Sequence, residues 1–367
     1  MKDLLEDLEM LFLLSFIDAP PSYVMTWLKN RGIGYKFSSE RIEERIREDE
    51  RTGTKEGIRS VLEETIKSLE FKLETFSNRV DNISEVYTIT LLIAPVMLYA
   101  VGLFQPETVK VSLWVLLLLN GLLLVLFRDL HPRVFKLKTN SSSILGSIAL
   151  SVVLSFIFLK IENLRVSLVA QILTSLPFAV SALRRWRRME SELRENHTIL
   201  LKALTEPFHL FRAVPPGLLT AETYFGISRS LRLTLYLSSF WGIEEKSALL
   251  FTYEKIYNFY KKTTRKGFLN AAMNLLTIFL LGFASAIVKN ILKTLPLDAM
   301  QQWVTIGDKS ELFWTIDVYV MLASILYALG LSIISLGSLE MAPFWIPLVS
   351  TALLLGEVLG ERLLVYG

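Results

Sequence analysis

Seven stretches of this chain are apolar and carry no Asp, Glu, Lys or Arg: 86–106, 111–127, 139–159, 166–183, 267–288, 318–339 and 341–356. A helix rises about 1.5 Å per residue, so about 20 such residues cross the hydrocarbon of a bilayer, where only helices and closed barrels satisfy their own backbones. The pattern predicts an all-α, polytopic membrane protein with about seven transmembrane helices. The stretches at 111–127 and 341–356 are short, 17 and 16 residues, and the last pair reads as a tight hairpin. Pro95, Pro177, Pro343 and Pro347 do not exclude helix, because neighbouring helices and waters satisfy the carbonyls they free. Composition agrees: 52% hydrophobic residues and a mean hydropathy of +0.43 are too apolar for an ordinary soluble enzyme.

Charge between the stretches sets the expected orientation. The loop RDLHPRVFKLK at 128–138 and the run RRWRR at 184–188 are basic and are expected on the cytoplasmic side. The loops at 105–110 and 160–165 are less basic, as external turns are. In the first helix, Asp3, Glu6, Asp7 and Glu9 stand where a signal peptide would be basic, so no cleavable signal is expected and the N-terminus is expected in the cytoplasm. The expected organisation is a cytoplasmic helical-bundle domain at 1–85, four transmembrane helices at 86–183, a second cytoplasmic helical-bundle domain at 184–266, and three transmembrane helices at 267–367 with an external loop at 289–317. The orientation of the last two spans rests on counting alone.

The two segments outside the spans share features. Leu62, Ile66, Leu69, Leu73, Phe76, Val80, Ile83 and Tyr87 alternate steps of four and three, a heptad seam on one helix that runs without Gly or Pro into the first span. Shifting the first four positions by 187 gives Leu249, Tyr253, Ile256 and Tyr260, on a helix that continues through KKTTRKG into the span at 267. Beyond Tyr260 the match fades. FIDAPP at Phe16–Pro21 and FRAVPP at Phe211–Pro216 are offset by 195, so one insertion or deletion reconciles the two shifts. Paired prolines suit a turn that opens a helix. Coincident turns and ordinary amphipathic helices are the alternative reading of both similarities.

On these residues the chain resembles the F-type inner-membrane platform proteins of type II secretion and type IV pilus systems. Leu8–Trp27, LEMLFLLSFIDAPPSYVMTW, is similar to the opening of the family's cytoplasmic domain, with Ser15 and Pro20 in place and the usual glycine missing; Leu201–Tyr224 is a looser second copy. The extra pair of spans between the domains resembles the archaeal pilus and archaellum members. The resemblance implies a non-enzymatic, dimeric platform that docks on a cytoplasmic secretion ATPase and helps to lift pilin-like subunits from the membrane.

The motifs the chain lacks fit that reading. GTKEG at Gly53–Gly57 reads as a turn rather than a phosphate loop, and no Gly-x-Ser-x-Gly or His-Glu-x-x-His occurs. With no cysteine, and with His131, His197 and His209 in no ligand spacing, no catalytic, cofactor or metal site is expected. Residues 1–85 hold 13 basic against 18 acidic side chains, and 184–266 hold 15 against 8. Arg184, Arg185, Arg187, Arg188, Lys261, Lys262, Arg265 and Lys266 flank membrane spans and are the candidate partner-binding residues. Their contacts could be anionic lipid, an acidic ATPase surface or the acidic first domain; nucleic acid is not expected. Tyr253, Tyr257, Phe259 and Tyr260 read as core or as a docking stripe, and Asn120, Asn270 and Asn274 as bonds between helices or as subunit contacts. Two other functions use the same features. A transporter or channel needs ionisable groups in the membrane, for which Glu340 and Glu357 beside the last span are the near candidates. A membrane-bound scaffold or sensor would dimerise through the heptad helices.

Overall fold

A computed structural model describes residues 2–32, 35–101, 106–130, 141–161, 163–205, 223–294 and 309–365. The described residues are helical except for turns and one isolated bridge: α1 (Lys2–Phe16), α2 (Pro21–Asn30), α3 (Glu40–Thr52), α4 (Glu56–Thr88), α5 (Ala94–Val101), α6 (Pro106–Leu130), α7 (Ser141–Ile161), α8 (Leu164–Thr205), α9 (Gly226–Trp241), α10 (Lys246–Thr294), α11 (Lys309–Leu336) and α12 (Ala342–Val365). They fall into two compact units. Unit 1 draws on Met1–Thr75 and Trp186–Thr263; unit 2 draws on Phe76–His131, Thr139–Arg185 and Thr264–Gly367. The division falls inside α4, α8 and α10.

Unit 1 joins the two segments that flank the spans. α1 packs along α9, burying Leu11, Phe12 and Leu14 on one side and Leu231 and Leu235 on the other. Where both helices end, Ile17 and Ile243 form an antiparallel bridge: the Asp18 amide donates to the Gly242 carbonyl (3.2 Å) and the Glu244 amide to the Phe16 carbonyl (3.3 Å). The phrase FIDAPP is therefore a hinge between helices. Phe16 closes α1, Pro20 sits in an extended conformation before α2, and Pro21 takes its first position, where a missing N–H costs nothing. FRAVPP lies outside the described residues. Of the shifted seam, Leu62, Ile66, Leu69, Leu249, Tyr253, Ile256 and Tyr260 are all 4% exposed or less. The side chains of Leu73, Phe76, Val80 and Ile83 lie outside the described residues, as do His131 and His209.

Three buried carboxylates fasten helix starts in unit 1. Asp7 on α1 accepts from the Tyr35 hydroxyl (2.6 Å) and from the Ser38 amide and hydroxyl just before α3. Asp49 on α3 accepts from the amides of Gly57 (3.0 Å) and Ile58 (2.7 Å) in the first turn of α4. Glu192 on α8 accepts from the amides of Tyr224 (2.9 Å) and Phe225 (3.3 Å) ahead of α9. Each places a negative charge where a helix presents unbonded N–H groups. GTKEG is a turn: Gly53, at φ 72°, ends α3 with its amide on the Asp49 carbonyl (2.8 Å), a conformation that suits glycine.

Unit 2 holds most of the apolar length. Among the described residues six helices are long and apolar enough to cross a membrane, in Glu107–Leu126, Ile144–Ile161, Leu164–Thr205, Lys246–Ile291, Ser310–Leu336 and Leu339–Arg362. The chain is thus compatible with a multi-pass membrane protein. The described part of the seventh expected stretch, residues 86–101, is helical but interrupted: residues Ile89–Ile93 form a wider π turn between α4 and α5, and the apolar helical segment is Ser84–Tyr99. Pro95 cannot donate to the carbonyl four residues back, and the π turn lies over the carbonyls so affected. The expected loop at 289–317 is shortened from both sides, because α10 runs to Thr294 and α11 starts at Lys309.

α11 is the centre of unit 2, with 83% of its apolar window buried against 22% for α6. Tyr87 donates its hydroxyl to the Leu326 carbonyl (2.9 Å) and packs edge-on to Tyr327. Gln171 on α8 ties three helices, its side-chain oxygen accepting from Ser324 on α11 (2.9 Å) and Ser350 on α12 (2.7 Å). The asparagines bond between helices: Thr90 donates to Asn120 (2.9 Å), Asn270 to Asp81 (3.1 Å) and Asn274 to Ser84 (3.2 Å). α10 and α12 touch backbone to backbone. Gly356 and Gly360, a G-x-x-x-G pair, lie on Phe279 and Phe283, and Gly282 lies on the Leu353 carbonyl.

Candidate functional site

The eight expected partner-binding residues lie on two long helices. Five consecutive residues turn through more than one helical turn, so RRWRR cannot present one face. Arg184, Arg187 and Arg188 are exposed, while Arg185 is half-buried with its guanidinium 3.4 Å from the Ser181 hydroxyl. On α10 the spacing is different. Lys261 with Arg265, and Lys262 with Lys266, stand four apart on a shared face, and all four are exposed. Like charges at that spacing oppose the helix by a few tenths of a kcal/mol. Among the described residues none of the eight enters an ion pair; Lys261 instead lies 6.0 Å from the Tyr257 ring.

The charges that do join the two segments of unit 1 have the opposite sense to the net charges. Arg59 pairs with Glu245 (2.8 Å) and Glu244 (3.1 Å), and Lys55 with Glu244 (3.6 Å), so bases from the acidic segment meet acids from the basic one. Lys55 also donates to the Ile17 carbonyl beside the bridge. Burial pushes the Lys55 ammonium below its usual range, against the opposing pull of Glu244 and Asp18. Of the aromatic stripe, Tyr253 and Tyr260 are core, and Tyr257 stacks on His197 with centroids 5.4 Å apart. Burial raises the Tyr253 and Tyr260 hydroxyls well above the ordinary phenol range, which keeps them neutral.

A second charged group was not legible as a site. At one end of unit 2, where α8 and α11 begin and α10 and α12 finish, Lys289 pairs with Asp317 and lies 3.8 Å from Glu357. Arg165 pairs with Glu361 and lies 3.8 Å from Glu357. These residues border a pocket of about 320 Å³. Each falls just outside an uncharged stretch, so a search for charge within the stretches passes over all of them; Glu357 alone was marked, as a flanking residue. Among the described residues, no group of three or more His, Asp or Glu side chains could hold a metal ion.

No family model, curated protein or solved structure matches the chain.

Proposed function

We propose that the chain is a membrane platform of the type II secretion and type IV pilus kind, which couples a cytoplasmic ATPase to the extrusion of pilin-like subunits. In this reading the N-terminus and unit 1 are cytoplasmic, the protein works as a homodimer, and it performs no catalysis itself. The observation that carries the proposal is the buried shifted seam: Leu62, Ile66 and Leu69 recur as Leu249, Tyr253 and Ile256, all buried in one unit. A duplicated helical segment preceding each set of spans is what the resemblance implies. The like-charged, unpaired face of α10 supports a partner of opposite sign, because such a face opposes its own helix unless anions meet it.

The test uses the full chain, purified in detergent, and the secretion ATPase from the same genome. Expected is binding that weakens with salt. An exposed pair contributes about 0–1 kcal/mol, so single changes at Arg185, Arg188, Lys262 or Arg265 should be nearly silent while reversal of all four to Glu weakens binding. No binding by the unchanged chain refutes the platform reading. Binding unaffected by the four reversals leaves these residues as membrane anchors, since anchoring plays no part in detergent.

A further inference from the structure

The pocket at the end of unit 2 contains an unfinished ion-pair network. Three carboxylates, Asp317, Glu357 and Glu361, meet two cations, Arg165 and Lys289. Lys289 is held by Asp317 and Arg165 by Glu361, which leaves Glu357 with only the two 3.8 Å approaches. Glu357 is 8% exposed, and its Oε2 is buried with no hydrogen-bond partner. A buried carboxylate oxygen without a donor is strongly disfavoured, and the pocket's third cation, Lys293, is exposed and pairs with none of the three carboxylates. The missing partner is a cation that carries N–H donors. It is not a bare metal ion, for which the described residues lack a ligand set.

We propose that this pocket binds a primary ammonium group on Glu357 Oε2, and that its occupant is the ethanolamine headgroup of a membrane lipid. The rest of the pocket suits that headgroup. Its lining includes Lys293 and Asn163, both exposed, and Arg165, which is 38% exposed; these supply donors to an anion two carbons from the amine. A phosphodiester stands at that distance in the headgroup. The pocket also lies toward the ends at which four apolar helices start or finish, and the ends of helices that cross a bilayer meet its headgroups. A soluble zwitterion such as phosphoethanolamine presents the same chemistry.

The experiment follows thermal unfolding of the full chain by tryptophan fluorescence in delipidated detergent micelles doped with phosphatidylethanolamine or with phosphatidylcholine of the same acyl chains. The choline ammonium has no N–H, so only the ethanolamine lipid should raise the melting temperature, by about 3 °C. Glu357→Gln should melt equally in both, which removes any general effect of the lipid. A preference that survives in Glu357→Gln overturns the assignment. If that variant does not fold, the comparison on the unchanged chain decides alone. Equal melting of the unchanged chain in the two lipids overturns the lipid occupant. In that case a rise with free phosphoethanolamine assigns the site to a soluble amine, and no rise with either overturns the ammonium site.

Discussion

Replacing Gly356 by Ala tests whether α10 and α12 touch backbone to backbone. A methyl group at that position would lie 2.8 Å from the Phe283 nitrogen and 3.1 Å from the Phe279 carbonyl carbon, and closer still to the Phe279 oxygen. Carbon contacts are comfortable at about 3.5–4.0 Å, and no side-chain rotation relieves a clash with main chain, so the helices must part by about 1 Å. Overpacking of this kind costs about 1–3 kcal/mol. Alanine returns up to about 1 kcal/mol through its better helix propensity. The net expectation is a loss of about 1–2 kcal/mol. Gly121 on α6 and Gly146 on α7 are the matched controls, since nothing lies within 4 Å of a methyl group at either. There Ala keeps only the propensity gain and should stabilise by about 0.5–1 kcal/mol. Denaturant unfolding in micelles, read by tryptophan fluorescence, measures all three. Trp345 on α12, with its ring 5.8 Å from Phe268 on α10, reports from the same helix pair. If Gly356→Ala proves as stable as the controls, the close helix contact is wrong.

Two further expectations concern unit 1. Leu69→Ala should cost about 2–5 kcal/mol because Leu69 is 3% exposed, whereas exposed Lys67→Ala should change little; equal effects in a thermal melt of the full chain would make the seam a surface feature. Tyr35 titrates well above the ordinary phenol value of about 10, chiefly through burial and then through its hydrogen bond to Asp7. The unfolded chain loses that proton first, so the contribution of Tyr35 to stability is complete below pH ~10 and is lost as pH rises beyond it. The stability difference between the unchanged chain and Tyr35→Phe should therefore shrink between pH ~9 and ~11, and a difference that stays constant would remove the neutral phenol from the account.

The features legible in the sequence are those that depend on neighbours in the chain. Length and hydropathy identified the apolar helices, because a bilayer tests each helix for its own backbone bonds and its own transfer energy. Heptad spacing located Leu62, Ile66 and Leu69 and their counterparts, because 3.6 residues per turn places such residues on one face, and a face that apolar is buried whatever its partner. FIDAPP was readable as a helix-opening turn because proline acts through its own missing N–H. The π turn was less so: Pro95 marks a disturbance, but whether a helix breaks, kinks or widens depends on what surrounds it, here Thr90 bonded to Asn120.

Pairing is a different matter, since it depends on residues far apart along the chain. Residues 1–75 and 186–263 belong to one unit because the faces of α1 and α9 fit, and neither face names its partner. Net charge pointed the wrong way about how the segments meet, because a sum over about 80 residues says nothing of the four side chains, Lys55, Arg59, Glu244 and Glu245, that stand at the contact. The pocket around Glu357 is the furthest from sequence. Arg165, Lys289 and Asp317 each read as an ordinary charge at the end of an apolar run and Glu357 as a flanking candidate with no named partner, and only the packing of α8, α10, α11 and α12 brings them within 4 Å of one another in pairs and leaves one buried oxygen without a donor.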